Sequence, residues 1–401
     1  MDFKKIRNSI LYFLIFIRPF ISSQAFPELE KYFLVVLVLL TLAFLKEIRY
    51  QNNPFILDIA LSLYTLGGIF SIIFSTHRIN SLYSFPLYFT GLLFFSIILT
   101  LNSEEIKRIL KIMLISGTLI SLYGIYQFFL GFSQTAEYIL KTNPHFFTNH
   151  LIRNYLLSKR VFSTFFSPNM LAGYLIMLIP LSIGIREKKK LFYYLFTGIL
   201  VFVLFLTQSL GGIFSAIFSF ITLFLVLRPK KIPQKYLFSG LIIILLLTLP
   251  IFLWRADRIF NLENPHNSIL QRLNFLRLSF KIIKNNFLLG VGLGNFGNFY
   301  LRYSGLKDIR TNYAHNFILQ TQAEMGILGL LSIALIIFIF YKDILSTRKN
   351  FSSLRFSLLW AGTSFLIHNL IDISFFIPEI AVFFWIIWAG FKNLSQERFP
   401  P

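Results

Sequence analysis

The 401 residues contain no cysteine. That excludes disulfide scaffolds, thiolate metal sites, iron-sulfur clusters and cysteine nucleophiles. Charge is scarce as well: Asp, Glu, Lys and Arg make up 14% of the chain, against about 25% in soluble globular domains. With 56% apolar residues and a mean hydropathy of +0.68, too little polar surface exists to cover a soluble core, and soluble enzyme folds are excluded. Acid is rarer still, 17 acidic residues facing 38 basic ones for a net charge of +21. Such an excess suits nucleic acid, lipid headgroups or phosphorylated substrates, and the placement of the charges decides among them.

What is abundant is phenylalanine, 50 residues of it, and long uncharged stretches. A helix needs about 20 mostly apolar residues to cross a hydrocarbon layer of about 30 Å, and about twelve such runs occur. They span approximately 9 to 24, 32 to 45, 54 to 74, 81 to 101, 109 to 131, 169 to 185, 191 to 207, 210 to 227, 236 to 253, 321 to 341, 355 to 371 and 378 to 391. The first, preceded by Lys4, Lys5 and Arg7, has the outline of a cleaved signal peptide, but Arg18-Pro19 inside it favours a retained span. With the N-terminus inside, 22 of the 38 basic residues fall on the cytoplasmic side, whereas the four short outer connections hold only Lys31 and Arg78. This is the expected cationic bias of inner loops, so both termini are expected in the cytoplasm and nucleic acid is not an expected partner. The expected fold class is therefore an all-α integral membrane protein. It has about twelve transmembrane helices in a single multi-spanning domain over 1–401, with outer loops at about 132–168 and 254–320.

Chemistry is expected in those loops. The larger carries nine cations against three acids, which suggests an anionic ligand or contact with lipid phosphates. From Ser268 to Lys284, Ile269, Leu273, Leu276, Phe280 and Ile283 recur at helical spacing, and Asn274, Arg277, Lys281 and Lys284 share another face, the pattern of an interfacial amphipathic helix. Arg272 falls beside Leu276 and Ile269, away from the wet cations, where a guanidinium either meets an anion or snorkels to headgroups. Gly290, Gly292, Gly294 and Asn295 follow. They do not form a dinucleotide fingerprint, because the third glycine of that pattern would fall on Asn295; they form a tight turn whose amides suit an oxyanion. His315 and Asn316 then stand at the mouth of a helix, whose positive end favours neutral imidazole. Gln322, Gly326 and Gly329 are read as the histidine's face of that helix, and Glu324, on the opposite side, is expected to be paired. Arg160, before the sixth run, is a further candidate anion ligand. His145 and His150 have poor ligand spacing, so neither metal nor cofactor is expected. His368 and Asp372, four apart, can pair with each other or with an arginine, and a structural ion pair is the expected role.

Three segments resemble the O-antigen ligase and O-antigen polymerase superfamily of bacterial glycosyltransferases. These are Arg160-x-x-Ser163-Thr164-Phe165 with Pro168-Asn169, the turn at 290 to 296, and His315-Asn316 followed by Glu324-x-Gly326-Ile327-Leu328-Gly329. The resemblance implies a GT-C-like bundle in the bacterial inner membrane, with short helices in a large periplasmic loop. It also implies transfer of a glycan from undecaprenyl diphosphate to a hydroxyl of the lipid A core, or to a second carrier-linked glycan in a polymerase. On this resemblance His315 would activate the acceptor and Arg160 and Arg272 would hold the diphosphate, with Arg277, Gly290, Gly292, Gly294, Asn295, Asn316 and Gln322 around the substrate. One position departs: many relatives carry Thr-x-Ser-Arg-Gly where this chain has Thr207-Gln208-Ser209-Leu210-Gly211. Competing classes are a transporter, disfavoured by the lack of an internal repeat, and a non-catalytic scaffold.

Overall fold

A computed structural model describes residues 3–49, 54–143, 145, 153, 156–185, 190–227, 249–256, 260–261, 267–304, 311–346 and 352–396. Among these residues all regular structure is helical: α1 Phe3–Ile17, α2 Pro27–Ala43, α3 Leu45–Arg49, α4 Phe55–Ile73, α5 Arg78–Leu99, α6 Ser103–Tyr126, α7 Phe132–Thr142, α8 Pro168–Gly184, α9 Lys190–Leu206, α10 Leu210–Leu227, α11 Ser268–Asn285, α12 Phe296–Ser304, α13 Phe317–Ser346, α14 Ser353–His368 and α15 Pro378–Gln396. Eleven of the apolar runs read from the sequence fall on these helices. Most of the ninth, 236 to 253, lies outside the described residues, as do His150, Arg258, Lys307, Arg310 and large parts of both outer loops. Five helical stretches are long and apolar enough to cross a membrane: Phe55–Ile73, Arg78–Leu99, Ser103–Thr142, Leu210–Leu227 and Phe317–Lys342; Pro168–Gly184 and Leu191–Leu206 are apolar but shorter. The protein is thus a helical membrane protein.

The chain forms two compact units, each assembled from three segments: Met1–Leu40, Asn102–Val226 and Ser352–Phe365 in the first, Thr41–Leu101, Leu227–Phe351 and Leu366–Pro401 in the second. In the first unit α6 opens on a capping box, Asn102 accepting from the Glu105 amide while Glu105 accepts from that of Asn102, which satisfies two orphan donors of the first turn. The helix passes through one π turn, Gln127–Gly131, into α7. Gln127 uses that turn to accept the amides of Phe162 and Ser163 at 3.0 and 2.9 Å. Arg18, which stood out inside the first apolar run, is fully buried and forks onto Glu30 at 2.7 and 3.0 Å. Removing either partner would strand a buried charge, at a cost of about 3–5 kcal/mol.

In the second unit close helix approach depends on small residues, as expected where lipid removes the hydrophobic drive between helices. Gly67 of α4 lies against the Gly329 backbone of α13, and Ser332 Oγ donates to the Ala60 carbonyl at 2.8 Å. Gly91 of α5 faces the indole of Trp385 on α15. The feature that shapes the site is a break in α13. Gly326 adopts φ 65°, ψ −155° in mid-helix, a conformation that L side chains avoid, and the backbone groups released there are taken up by the segment that precedes α12. The Val291 amide donates to Ala323 O at 2.8 Å, Gly292 to Glu324 O at 3.1 Å, and the Ile327 amide to Leu288 O at 3.1 Å. A side chain at Gly326 would strike the Leu288 carbonyl, and one at Gly290 the Glu324 carbonyl. The two glycines let the backbones touch.

Candidate functional site

The site develops on α11, α12, the start of α13 and the connection between α14 and α15, all in the second unit. Asn267 caps α11 by accepting the Ile269 and Leu270 amides at 2.9 and 3.0 Å, the usual role of an asparagine at a helix start. The helix presents three faces. Phe275, Ser279, Ile282 and Ile283 are buried in the protein; Ile269, Leu273, Leu276 and Phe280 form an exposed apolar stripe; Arg277, Lys281 and Lys284 form an exposed cationic one. The five-residue stripe expected from periodicity is therefore split, with only Ile283 packed inward. At 100° per residue Arg272 falls on the packed side. From 268 to 304 there are five cations and no acid.

Arg272 donates Nε to the Ile371 carbonyl at 3.2 Å and Nη1 to the Ser268 carbonyl at 3.1 Å. Its Nη2 has no hydrogen-bond partner among the described residues. Burial holds this guanidinium below its usual range, against the opposing charge of Asp372. His315 occupies the left-handed region at φ 52°, and its ring stacks on Phe275 with centroids 4.9 Å apart and planes 13° from parallel. Neither imidazole nitrogen has a hydrogen-bond partner among the described residues. Burial pushes its pKa down to about 4, with Asp372 raising and Arg272 lowering it. Asn316 caps α13 by accepting the Ile318 and Leu319 amides at 3.1 and 3.0 Å and donates to Leu370 O at 3.1 Å.

The α14–α15 connection closes the site. Asn369 O receives the Phe317 amide at 3.0 Å and Asn369 Oδ1 the Phe375 amide at 2.6 Å, so this segment is fixed to the start of α13. Buried Asp372 accepts from Ser374 Oγ at 2.8 Å and stands 3.7 Å from His368 Nε2. Burial alone would raise its carboxyl, but the charges of His368 and His315, with hydrogen bonds from Ser374 and the Ile373 amide, hold it below its ordinary value. A carboxylate, an unengaged imidazole and a partly engaged guanidinium thus share one locus.

The other residues singled out from sequence, Arg277 excepted, have protein partners. The Gly290 amide donates to Asn286 O at 2.9 Å and Gly292 to Glu324 O, while the Gly294 amide bonds the Glu324 carboxylate. These donors, expected to face a ligand, are used inside the fold: Gly292 and Gly294 because the turn fills the break in α13, and Gly290 because it closes onto Asn286. Asn295 is buried and donates to Ser75 and Ser81 hydroxyls at 2.9 and 3.0 Å. Gln322 holds Phe287 O at 2.9 Å, and Arg277 is exposed. Arg160 belongs to the first unit, where it donates to Thr207 O at 3.1 Å and Asn169 Oδ1 at 3.2 Å. Asn169 Oδ1 also accepts from Ser209 Oγ at 3.0 Å. Sequence reasoning missed Phe275, which it had not placed at any site, and offered Asp372 only His368 or an arginine as partner; the i, i+4 pairing was visible, the reach of Asp372 to His315 was not. Among the described residues no group of three His, Asp or Glu is placed to hold a metal.

These features define a class: a multi-spanning helical protein with a cationic, histidine-bearing site at the start of a broken membrane-length helix. A family model described as O-antigen ligase matches residues 195–334. That segment, about a third of the chain, includes Arg272, the glycine turn, His315 and Glu324 but not Arg160, and is similar to the O-antigen ligase and polymerase superfamily. No curated protein matches the sequence.

Proposed function

We propose that this protein transfers a glycan from undecaprenyl diphosphate to a hydroxyl of the lipid A core at the periplasmic face of the inner membrane, with inversion at the anomeric carbon. The observation that supports this reading most is the unengaged His315 imidazole beside Arg272 and Asp372. In the step, the acceptor hydroxyl gives its proton to His315 as its oxygen bonds the anomeric carbon, and the carbon–oxygen bond to the diphosphate breaks with its electron pair left on the phosphate. Arg272, whose Nε and Nη1 are fixed on main-chain carbonyls, turns Nη2 toward the growing phosphate charge, a preorganised donor that costs no reorganisation as the bond breaks. Asp372 stabilises the imidazolium formed. With a free-protein value of about 4, His315 is a weak base near neutrality. A bound diphosphate adds negative charge beside it and raises its proton affinity when it is needed. Arg277, Lys281 and Lys284 on the exposed side of α11 suit lipid headgroups.

A polymerase of the same superfamily would use the same donor and a second carrier-linked glycan as acceptor. The glycolipids of a deletion strain separate the two: loss of a ligase leaves polymer on its carrier, whereas loss of a polymerase leaves the core bearing one repeat unit at most. Purified His315→Ala protein given the lipid-linked donor and core acceptor is expected to lose about 10²–10⁴ in kcat while keeping its yield from the membrane. Wild-type turnover by that variant would overturn the reading.

A further inference from the structure

We infer that Gln320 and Glu324 are positioning residues for His315, forming with Tyr88 a buried hydrogen-bonded relay that fixes both the backbone before the histidine and the aromatic wall against which its ring lies. The inference rests on the reading that His315 activates the acceptor. The starting observation is the conformation of His315, at φ 52°. A non-glycine residue holds the left-handed region only where its surroundings over-determine it.

Two arms supply that constraint. In the first, the Ala314 amide, one residue before His315, donates to Gln320 Oε1 at 2.6 Å. Gln320 is fully buried, and its Nε2 donates to Glu324 Oε1 at 2.9 Å. Because a carboxylate only accepts, the amide group of Gln320 must point its nitrogen at Glu324 and its oxygen at Ala314; the flipped amide would face donor to donor and acceptor to acceptor. In the second arm Glu324 Oε1 accepts the Phe296 amide at 3.2 Å. Phe296 opens α12, and Tyr300 on that helix contacts both Phe296 and Phe275, with ring centroids at 6.3 and 5.8 Å. Phe275 is the ring on which His315 stacks. One carboxylate therefore holds the chain ahead of the imidazole and, through α12, the wall beneath it.

The outer anchor is Tyr88 on α5, whose hydroxyl donates to Glu324 Oε2 at 2.6 Å. An acidic side chain within a membrane-length helix is costly and persists where it is paired and used. Here it also sits beside the break at Gly326, where the Glu324 carbonyl receives the Gly292 amide. The relay thus draws the broken helix, the glycine turn and the histidine turn onto one group. None of the relay's hydrogen bonds involves the His315 ring; its effect passes through the placement of His315. The charged groups facing that imidazole are Arg272 from α11 and Asp372, with His368 behind it, from the α14–α15 connection.

The test is steady-state kinetics of the purified full-length protein in anionic-lipid vesicles, with the lipid-linked donor and core acceptor. Gln320→Leu is expected to lower kcat by about 10–100-fold, the weight of a displaced catalytic group, with KM for the donor unchanged. Its acid limb of kcat/KM should also move up toward the ordinary histidine value of about 6.5, as the ring swings toward water. Gln320→Glu should be impaired, because two acceptors then face each other, and Glu324→Leu should be impaired because Gln320 and Phe296 lose their acceptor. Glu324→Gln should keep most of the turnover, because its oxygen can still accept from Gln320 and Phe296 while its nitrogen donates to the Tyr88 hydroxyl. A wild-type kcat and acid limb in Gln320→Leu, or Glu324→Gln no better than Glu324→Leu, would overturn the relay. If Gln320→Leu is not recovered from the membrane, the near-isosteric variants decide: Gln320→Glu as active as Glu324→Gln would overturn the relay. Full activity in His315→Ala instead overturns the acceptor-activation reading itself, so the two failures are distinct.

Discussion

Each compact unit contains a polar cluster at a left-handed turn beside membrane-length or apolar helices, and the two clusters spend their hydrogen bonds differently. In the first unit Lys159, Ser163 and Gln208 have positive φ, and Arg160 is committed to the Thr207 carbonyl and to Asn169, which Ser209 also engages. In the second, His315 takes the positive φ, its neighbours Ala314 and Asn316 carry the structural bonds, and its imidazole, stacked on Phe275, has no hydrogen-bond partner among the described residues. The same local device thus yields a guanidinium that ties elements together in one place and a free ring in the other. A group whose bonding capacity is satisfied by the fold has little left for a substrate; one held by its neighbours is available for chemistry.

Substitutions can break this comparison, the strongest first. Arg272→Ala is expected to cost about 10²–10³ in kcat, as loss of one preorganised donor to a developing oxyanion does, and Arg272→Lys should restore only part, because an ammonium cannot hold two carbonyls and a phosphate in one plane. Equal turnover of Arg272→Ala and wild type would remove the guanidinium from the site.

Of intermediate size is the response to pH. The base must be neutral to work, so activity falls as pH drops through its pKa. The acid limb of kcat/KM, which reports the free protein, is expected near 4. That of kcat, which reports the complex, should lie higher, because a bound diphosphate favours imidazolium. Removing Arg272, which lowers the histidine in the free protein, should raise the first limb. Coincident limbs in the wild type would argue against a diphosphate near His315.

The smallest effect is expected at Arg160. Arg160→Lys should raise KM for the lipid-linked donor by less than about tenfold, the equivalent of about 1.4 kcal/mol, with kcat unchanged. A loss as large as that of Arg272→Lys would show that Arg160 does more than its bonds to Thr207 and Asn169 suggest.

How much of this was legible beforehand varies residue by residue. Hydropathy located eleven helices because the apolar runs that make them are local in sequence. The position of Arg272 off the wet face of α11 followed from 100° of rotation per residue. Periodicity failed for the companion of His315. Counting at offsets of 7, 11 and 14 gave Gln322, Gly326 and Gly329, on the assumption that the histidine begins a continuous helix. The structure starts that helix only at Phe317, with Asn316 as its N-cap, and breaks it at Gly326. Gln320, not Gln322, reaches back to Ala314, while Gln322 holds Phe287. The glycine turn shows the same limit: the sequence offered amide donors, and the fold supplied their acceptors at Asn286, at the break in α13 and on the Glu324 carboxylate.

Taken alone, the sequence determined that this is a cationic, cysteine-free helical membrane protein with His315 and Arg272 as isolated polar groups, since composition, run length and angular spacing are properties of neighbouring residues. Tertiary structure decided which groups share a site. Asp372 lies 57 positions beyond His315 and acts on its charge, and Tyr88 bonds Glu324 across a separation of 236. No local rule couples such residues; they meet because a carboxylate buried among apolar helices must find donors wherever the packing brings them.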